Sequence, residues 1–183
     1  MSRISSIIRR IKKNPRIILA YINSTGITNA LPDKTIIKLL WWVRTGTKLD
    51  INNPKTFNEK IQWLKLNNRN NRMTMMVDKY LVREYIANLI GEQYVIPLIG
   101  VWDDPKEIDF DLLPNQFVLK CNHNAAVGLC ICRDKSQLNK EKAVAELCKG
   151  LKKNFYYSSR EWAYKDVPRK VICEKYMEMP IME

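Results

Sequence analysis

The sequence predicts an α+β protein: an N-terminal helical region, then a small mixed lobe carrying an antiparallel sheet. Three observations lead there. Apolar residues recur at helical spacing through much of the chain up to Ile90. Two short apolar runs, Phe117-Val118-Leu119 and Leu129-Cys130-Ile131-Cys132, flank a tight loop of small and polar residues, which reads as a hairpin. A third run, Val171-Ile172-Cys173-Glu174-Lys175-Tyr176, reads as another strand, separated from the hairpin by a further helical pattern.

Each element has its own justification. Ile4, Ile7, Ile8 and Ile11 form an apolar stripe, with Arg3, Arg9, Arg10, Lys12 and Lys13 on the rest of the wheel. This basic amphipathic helix is open to two readings, packing on its own domain or contact with an anionic membrane surface. Pro15 can start a second short helix through Ile22. Pro32 and Asp33 open a firmer one over Lys34 to Arg44, which Gly46 ends. Its Trp41 and Trp42, beside Arg44, suit core burial or stacking on a ring-shaped ligand. Thr56 and Glu59 have capping-box spacing, and Phe57, Ile61 and Leu64 are expected to line the inward face of the helix that follows. Asn67 to Asn71 is a polar break, and Asp78 to Ile90 a helix stopped by Gly91. Tyr94 to Trp102 is extended, and Pro97 confines it to a sheet edge or a strand start. After the hairpin, Asn139 to about Lys153 is a helix with Val144, Leu147, Cys148 and Leu151 inward. The expected organisation is therefore residues 1–46 as basic helices, 47–113 as a helical region and 114–183 as the mixed lobe.

The formal net charge of +12 attracts polyanions without choosing among nucleic acid, lipid, phosphorylated substrate and acidic polysaccharide. The 5 cysteines are odd in number, and the opening residues lack the apolar core and cleavage site of a signal peptide. No stretch approaches the roughly 20 apolar residues of a membrane span. A reducing, cytoplasmic setting with free thiols is the expectation.

Several constellations could carry chemistry. A strand ending in Lys120, followed by the loop Asn122 to Gly128, could hold an anion through backbone N–H groups and an ammonium. Cys121, His123, Cys130 and Cys132 could bind zinc or be small buried thiols. His123 is the single histidine, and no elbow motif ties a nucleophile to it. Glu174 in an apolar strand needs a partner, such as Lys120 across the sheet or a ligand donor, unless it faces outward.

Taken together, several stretches resemble the TupA-like ATP-grasp family. They are Asn53-Pro54-Lys55-Thr56-Phe57-Asn58-Glu59-Lys60-Ile61-Gln62-Trp63-Leu64, Val77-Asp78-Lys79-Tyr80, Val82-Arg83-Glu84-Tyr85, Ile96-Pro97-Leu98 and Gly100-Val101-Trp102. Leu113 through His123 and Arg160-Glu161-Trp162 continue the match, which covers roughly Lys48 to Glu178 in the family's order.

The resemblance implies part of an ATP-grasp fold, in which α+β lobes clasp ATP. It implies phosphorylation of a carboxylate and attack of an amine on the acyl phosphate, in cell-surface polysaccharide biosynthesis. Many relatives are labelled glycosyltransferases, which supplies an alternative; a non-enzymatic basic module binding polyanions or membranes is another. By the same resemblance, Lys120 reaches the α- and β-phosphates, and Asn122, His123 and Gly128 belong to the loop over them. Glu174 and the backbone of Lys175 approach the adenine amino group, and the Met177 N–H a ring nitrogen. The chain is expected to be an incomplete copy, inactive alone, because the lobe that supplies magnesium ligands would follow the hinge. The implied cofactors are ATP and magnesium. The implied partners are a nucleotide and an acidic sugar acceptor, with peripheral contact at the inner face of a membrane and no specific nucleic acid.

Overall fold

The computed structural model describes residue 9, residues 11–125 and residues 127–178. In chain order its helices are α1 (Ile17–Ser24), α2 (Asp33–Thr45), α3 (Phe57–Asn67), α4 (Asn71–Val77), α5 (Val82–Ile90), α6 (Lys140–Lys152) and the short α7 (Tyr156–Ser159). The strands are β1 (Leu98–Trp102), β2 (Phe117–Cys121), β3 (Leu129–Cys132) and β4 (Val171–Lys175). The expected stripe of Ile4, Ile7 and Ile8 lies outside the described residues; Arg9, Ile11, Lys12 and Lys13 are helical. No helix among the described residues is long and apolar enough to cross a membrane.

The described residues pack as two compact units. The first is drawn from Met1–Asn70 and Tyr156–Lys165, the second from Asn71–Phe155 and Asp166–Glu183. The helical stretch 47–113, read from sequence as one region, thus contributes to both units, and α7 belongs with the first.

In the first unit, α2 forms as its ends dictate. Pro32 holds extended backbone at the start, and Gly46 closes the helix in the left-handed region at φ 78°, its N–H donating to Trp42 O at 2.9 Å. Ile36, Ile37, Leu40 and Val43 then share the buried face, and Ile37 packs with Leu49, Ile51, Trp41 and Leu66. The capping box of α3 is present: the Thr56 hydroxyl accepts the Glu59 N–H, and Glu59 Oε2 accepts the Thr56 N–H at 2.8 Å. The inward face of α3 is not the expected one. Of the three expected residues Ile61 is half-buried, but Phe57 is 77% exposed and Leu64 39%, whereas Gln62, Lys65 and Leu66 are partly buried. Leu66 alone of these joins the apolar core, so α3 turns polar side chains inward.

In the second unit the sheet is four-stranded and antiparallel, in the order β1-β4-β2-β3. Pro97 precedes the edge strand β1, as a residue with no N–H requires. The side chains of Phe117, Leu119, Cys121, Cys132, Val171 and Cys173 join one core with Ile108, Phe110, Leu113 and Ala143 and Leu147 of α6. Gly150 extends the inward face of α6: its Cα stands where a side chain on Gly128 would need to be, so helix and hairpin approach backbone to backbone. The helix expected from Asp78 begins instead at Val82. Asp78 is 2% exposed, and its carboxylate accepts the N–H groups of Tyr80 at 2.8 Å and Leu81 at 3.4 Å, which holds the chain in a turn first.

Candidate functional site

The sheet of the second unit has two unlike faces. Side chains alternate along a strand, so Phe117, Leu119 and Cys121 point to the α6 side while Val118 and Lys120 point away from it. Glu174 lies directly opposite Val118 in the β2–β4 ladder, so it shares the face of Lys120. The two meet: Lys120 Nζ forms an ion pair with Glu174 Oε2. Glu174 Oε1 accepts from Arg83 Nη1 of α5 at 2.9 Å. Arg83 Nη2 also donates to the Ile96 carbonyl just before Pro97, so one guanidinium ties α5, the approach to β1 and the β4 carboxylate. The Glu174 side chain is 7% exposed against 25% for Lys120, so the carboxylate is the buried hub and the ammonium reaches outward.

A third cation stands close by. Lys79 Nζ donates to the carbonyls of Asn122 at 3.1 Å and Asn124 at 2.6 Å, at the mouth of the loop after β2. Burial lowers the pKa of this ammonium, and the neighbouring Lys120 charge lowers it further. Two cations, Arg83 and Lys120, therefore hold one carboxylate, and a third, Lys79, stands near Lys120. Asp78 adds a second negative charge, but the Tyr80 N–H and the Asn122 amide already occupy it. Beside Arg83 opens a cavity of about 460 Å³, bounded by Glu84 and Asn88 of α5 and by Val95 and Pro97. Its size falls in the range of about 300–1,000 Å³ typical of small-molecule sites. The Pro97 carbonyl accepts the Lys175 N–H at 2.9 Å, so the end of β4 borders the same region.

Of the residues singled out from sequence, Lys120 and Glu174 are brought together. Asn122 is wholly buried and fully engaged: its amide donates to Asp78 at 2.9 Å and Pro168 O at 2.7 Å and accepts the Lys170 N–H at 2.8 Å. His123 is 1% exposed, with Nε2 3.0 Å from the Lys153 carbonyl and Nδ1 3.2 Å from Asn122 Oδ1. Burial lowers its pKa, so the neutral ring carries its proton on Nε2 toward Lys153. Gly128 has φ 68°, and a side chain there would strike Cys121 Sγ and the Gly150 Cα, which gives that glycine a packing role. Lys175 and Met177 are exposed at the end of β4. Sequence reasoning assigned no role to Lys79 or Arg83. Both fall in stretches that carry the family resemblance, but nothing in their spacing places α5 beside β4.

The zinc arrangement does not form. Cys121 Sγ lies 3.7 Å from the Leu147 carbonyl at one end of the hairpin, and Cys132 Sγ lies 3.6 Å from Asn115 O at the other. Among the described residues no three His, Cys, Asp or Glu side chains converge as a metal site. Within the described residues, then, no set of side chains would hold a metal by itself. Burial pushes the Cys121 thiol up to about 11 and Cys173 to about 12, so both stay protonated at neutral pH and are poor nucleophiles.

Residues 59–182 of the chain match the family model described as TupA-like ATPgrasp. No curated protein and no solved structure matches the chain significantly. The matched span covers more than half of the sequence and contains the Lys120 and Glu174 strands, Lys79 and Arg83. The chain therefore belongs to the TupA-like ATP-grasp family.

Proposed function

We propose that the second unit binds ATP on the Lys120–Glu174 face of its sheet, in the service of ATP-dependent carboxylate activation. The observation that supports this best is the cluster itself: two cations on one buried carboxylate with a third cation nearby, on the face of two adjacent strands away from the core, beside a cavity of ligand size. Such an excess of positive charge suits a polyphosphate. Lys120, the most exposed of the ion-paired groups, takes the α- and β-phosphates, and Lys79 adds a second charge near the loop. Arg83 and Glu174 position Lys120. The cavity between α5 and Pro97 takes the adenine, with Lys175 and Met177 at its border. Asn122 and His123 serve by shaping the loop rather than by touching the nucleotide.

The reaction proposed is attack of a substrate carboxylate oxygen on the γ-phosphorus, with ADP leaving. An amine or similar nucleophile then attacks the acyl carbon, loses its proton, and inorganic phosphate departs. In this reading the protein works in cell-surface polysaccharide biosynthesis, with an acidic sugar polymer as acceptor. Contact with an anionic membrane surface through the basic N-terminal segment belongs to the same reading. The net charge of +12 supports both of these partners.

A thermal-shift titration of the full chain with ATP, with and without magnesium, tests the site. Ligand that binds only the folded state raises the melting temperature, by the equivalent of about 2.7 kcal/mol at a hundredfold excess over Kd. The expected result is a rise with ATP that Lys120→Ala removes. A rise that Lys120→Ala leaves intact refutes the site, and a rise with a UDP-sugar alone replaces the reading with glycosyl transfer.

A further inference from the structure

The first unit contains a cavity of about 210 Å³ between α2 and α3. One wall is apolar, made by Ile37, Leu40 and Trp41. The other is polar: Asn58, Gln62 and Lys65 sit at positions i, i+4 and i+7 of α3, hence on one helix face. That face points toward α2 while Phe57 and Leu64 of the same helix stand exposed. The helix keeps Ile61 and Leu66 half-buried but leaves Phe57 and Leu64 in water while it lines a cavity with amides and an ammonium, and a polar ligand would account for that arrangement.

The charges agree. Arg44 and Lys65 both line the cavity, and no carboxylate does. Lys65 donates to the Ser159 carbonyl at 3.2 Å, and its counter-charge, Glu161, stands 3.6 Å away and is also held by the Ser159 hydroxyl at 2.9 Å. Burial lowers the pKa of Lys65, and the Arg44 charge lowers it further, so the two cations repel across the cavity. Arg44 makes no hydrogen bond or ion pair among the described residues. The indole of Trp41 is fixed: Nε1 donates to the Thr47 hydroxyl at 3.2 Å, which in turn lies 2.9 Å from the Thr45 hydroxyl at the cavity rim.

We infer that this cavity is a second binding site, for a single hydroxylated ring bearing one carboxylate or phosphate. The anion neutralises Arg44, with the Lys65 ammonium that Glu161 already balances adding a hydrogen bond, the ring lies along Trp41, and the hydroxyls pair with Asn58 and Gln62. At about 210 Å³ the space is below the range of about 300–1,000 Å³ for drug-sized ligands, which suits one ring and not a nucleotide. The inference does not depend on the nucleotide reading, because every lining residue belongs to the first unit.

Calorimetric titration of the full chain with glucuronate, glucose 6-phosphate, glucose and inorganic phosphate tests it, in wild type and in Arg44→Gln, Lys65→Met and Lys120→Met. Arg44 is exposed, so its replacement leaves the fold intact. At least one of the two anionic sugars should bind, and which one does identifies the charged group. Arg44→Gln should weaken that binding tenfold or more, as loss of a charge-assisted hydrogen bond does, and Lys65→Met should weaken it similarly. Glucose should bind at least tenfold more weakly. Four results overturn the proposal: no binding of either anionic sugar at millimolar concentration; affinity unchanged by Arg44→Gln; phosphate bound as tightly as the sugars; or binding lost in Lys120→Met alone, which would put the ligand in the second unit.

Discussion

Each unit holds one buried ionic cluster, and the two are built to different ends. In the first unit Arg160 is 1% exposed, and its guanidinium lies against the edge-to-face pair of Tyr156 and Tyr157, 5.3 and 5.2 Å from their centroids. It donates to the Thr28 carbonyl at 2.8 Å and faces Asp33 at 3.4 Å. Asp33 is itself shared with Arg69 at 2.7 Å and with the Tyr156 hydroxyl. The cation is shut away from solvent: backbone, carboxylate and aromatic groups surround it, and only its Nε–H, buried, finds no acceptor among the described residues. In the second unit Glu174 is buried, but its partners Lys120 and Arg83 reach outward, and Lys79 stands near, held by the Asn122 and Asn124 carbonyls. Both clusters set two cations on one carboxylate. The difference lies in which partner is buried: the cation in the first unit, which fastens that fold, and the carboxylate in the second, whose cations reach outward.

The largest expected effect comes from breaking the Arg160 cluster. Arg160→Met removes the cation and leaves the Thr28 carbonyl and part of the Asp33 charge without a partner. Losing one member of a buried ion pair costs about 3–5 kcal/mol, so urea unfolding should show the first unit destabilised by about that amount. The response of the second unit to ATP should survive wherever the variant stays folded. A loss below about 1 kcal/mol would mean that Arg160 is dispensable and the comparison false.

Glu174→Gln sharpens the other side. It keeps the side-chain shape and one acceptor but leaves Lys120 and Arg83 facing each other without a counter-charge. Stability should fall by less, about 1–3 kcal/mol, because both cations can turn toward water. ATP affinity should change at the same time, since Lys120 is no longer positioned. Calorimetry on the variant reads both. Wild-type ATP affinity in Glu174→Gln would reduce the ion pair to a strut of the sheet.

Much of this was legible in the sequence, and the failures have physical causes. The hairpin and β4 announced themselves because both are apolar runs bounded by turn residues. Capping chemistry fixed the start of α3, and Pro32 and Gly46 marked the ends of α2. The inward face of α3 was misjudged because periodicity finds apolar side chains, and this helix leaves Phe57 and Leu64 in water. The start of α5 was misjudged because the Asp78 carboxylate competes with the helix for the next N–H groups. Lys120 and Glu174 could be named as a pair, since each sits in a recognisable strand. Lys79 and Arg83 could not, because their approach to the sheet depends on packing between segments distant in the chain.

The smallest effect tests the reading of His123 as a structural residue of the loop. Burial holds its imidazole below the ordinary value of 6.5. The unfolded chain therefore takes up a proton near that pH which the folded chain refuses. The stability tied to His123 is complete above about pH 6.5 and declines as the pH falls below it, by at most about 1.4 kcal/mol per pH unit. Since it is the single histidine, no other imidazole shares the window. Urea unfolding of wild type and His123→Gln at intervals from pH 7 to pH 5 should show a decline in the wild type that the variant lacks. Two parallel curves would mean that the ring takes up its proton in the fold as readily as in the unfolded chain, and a wild type that gains stability over the variant as the pH falls would mean that the ring is held protonated, with both nitrogens donating to the oxygens of Lys153 and Asn122. The latter would move a positive charge into the loop beside Lys79 and add it to the Lys120–Glu174 cluster.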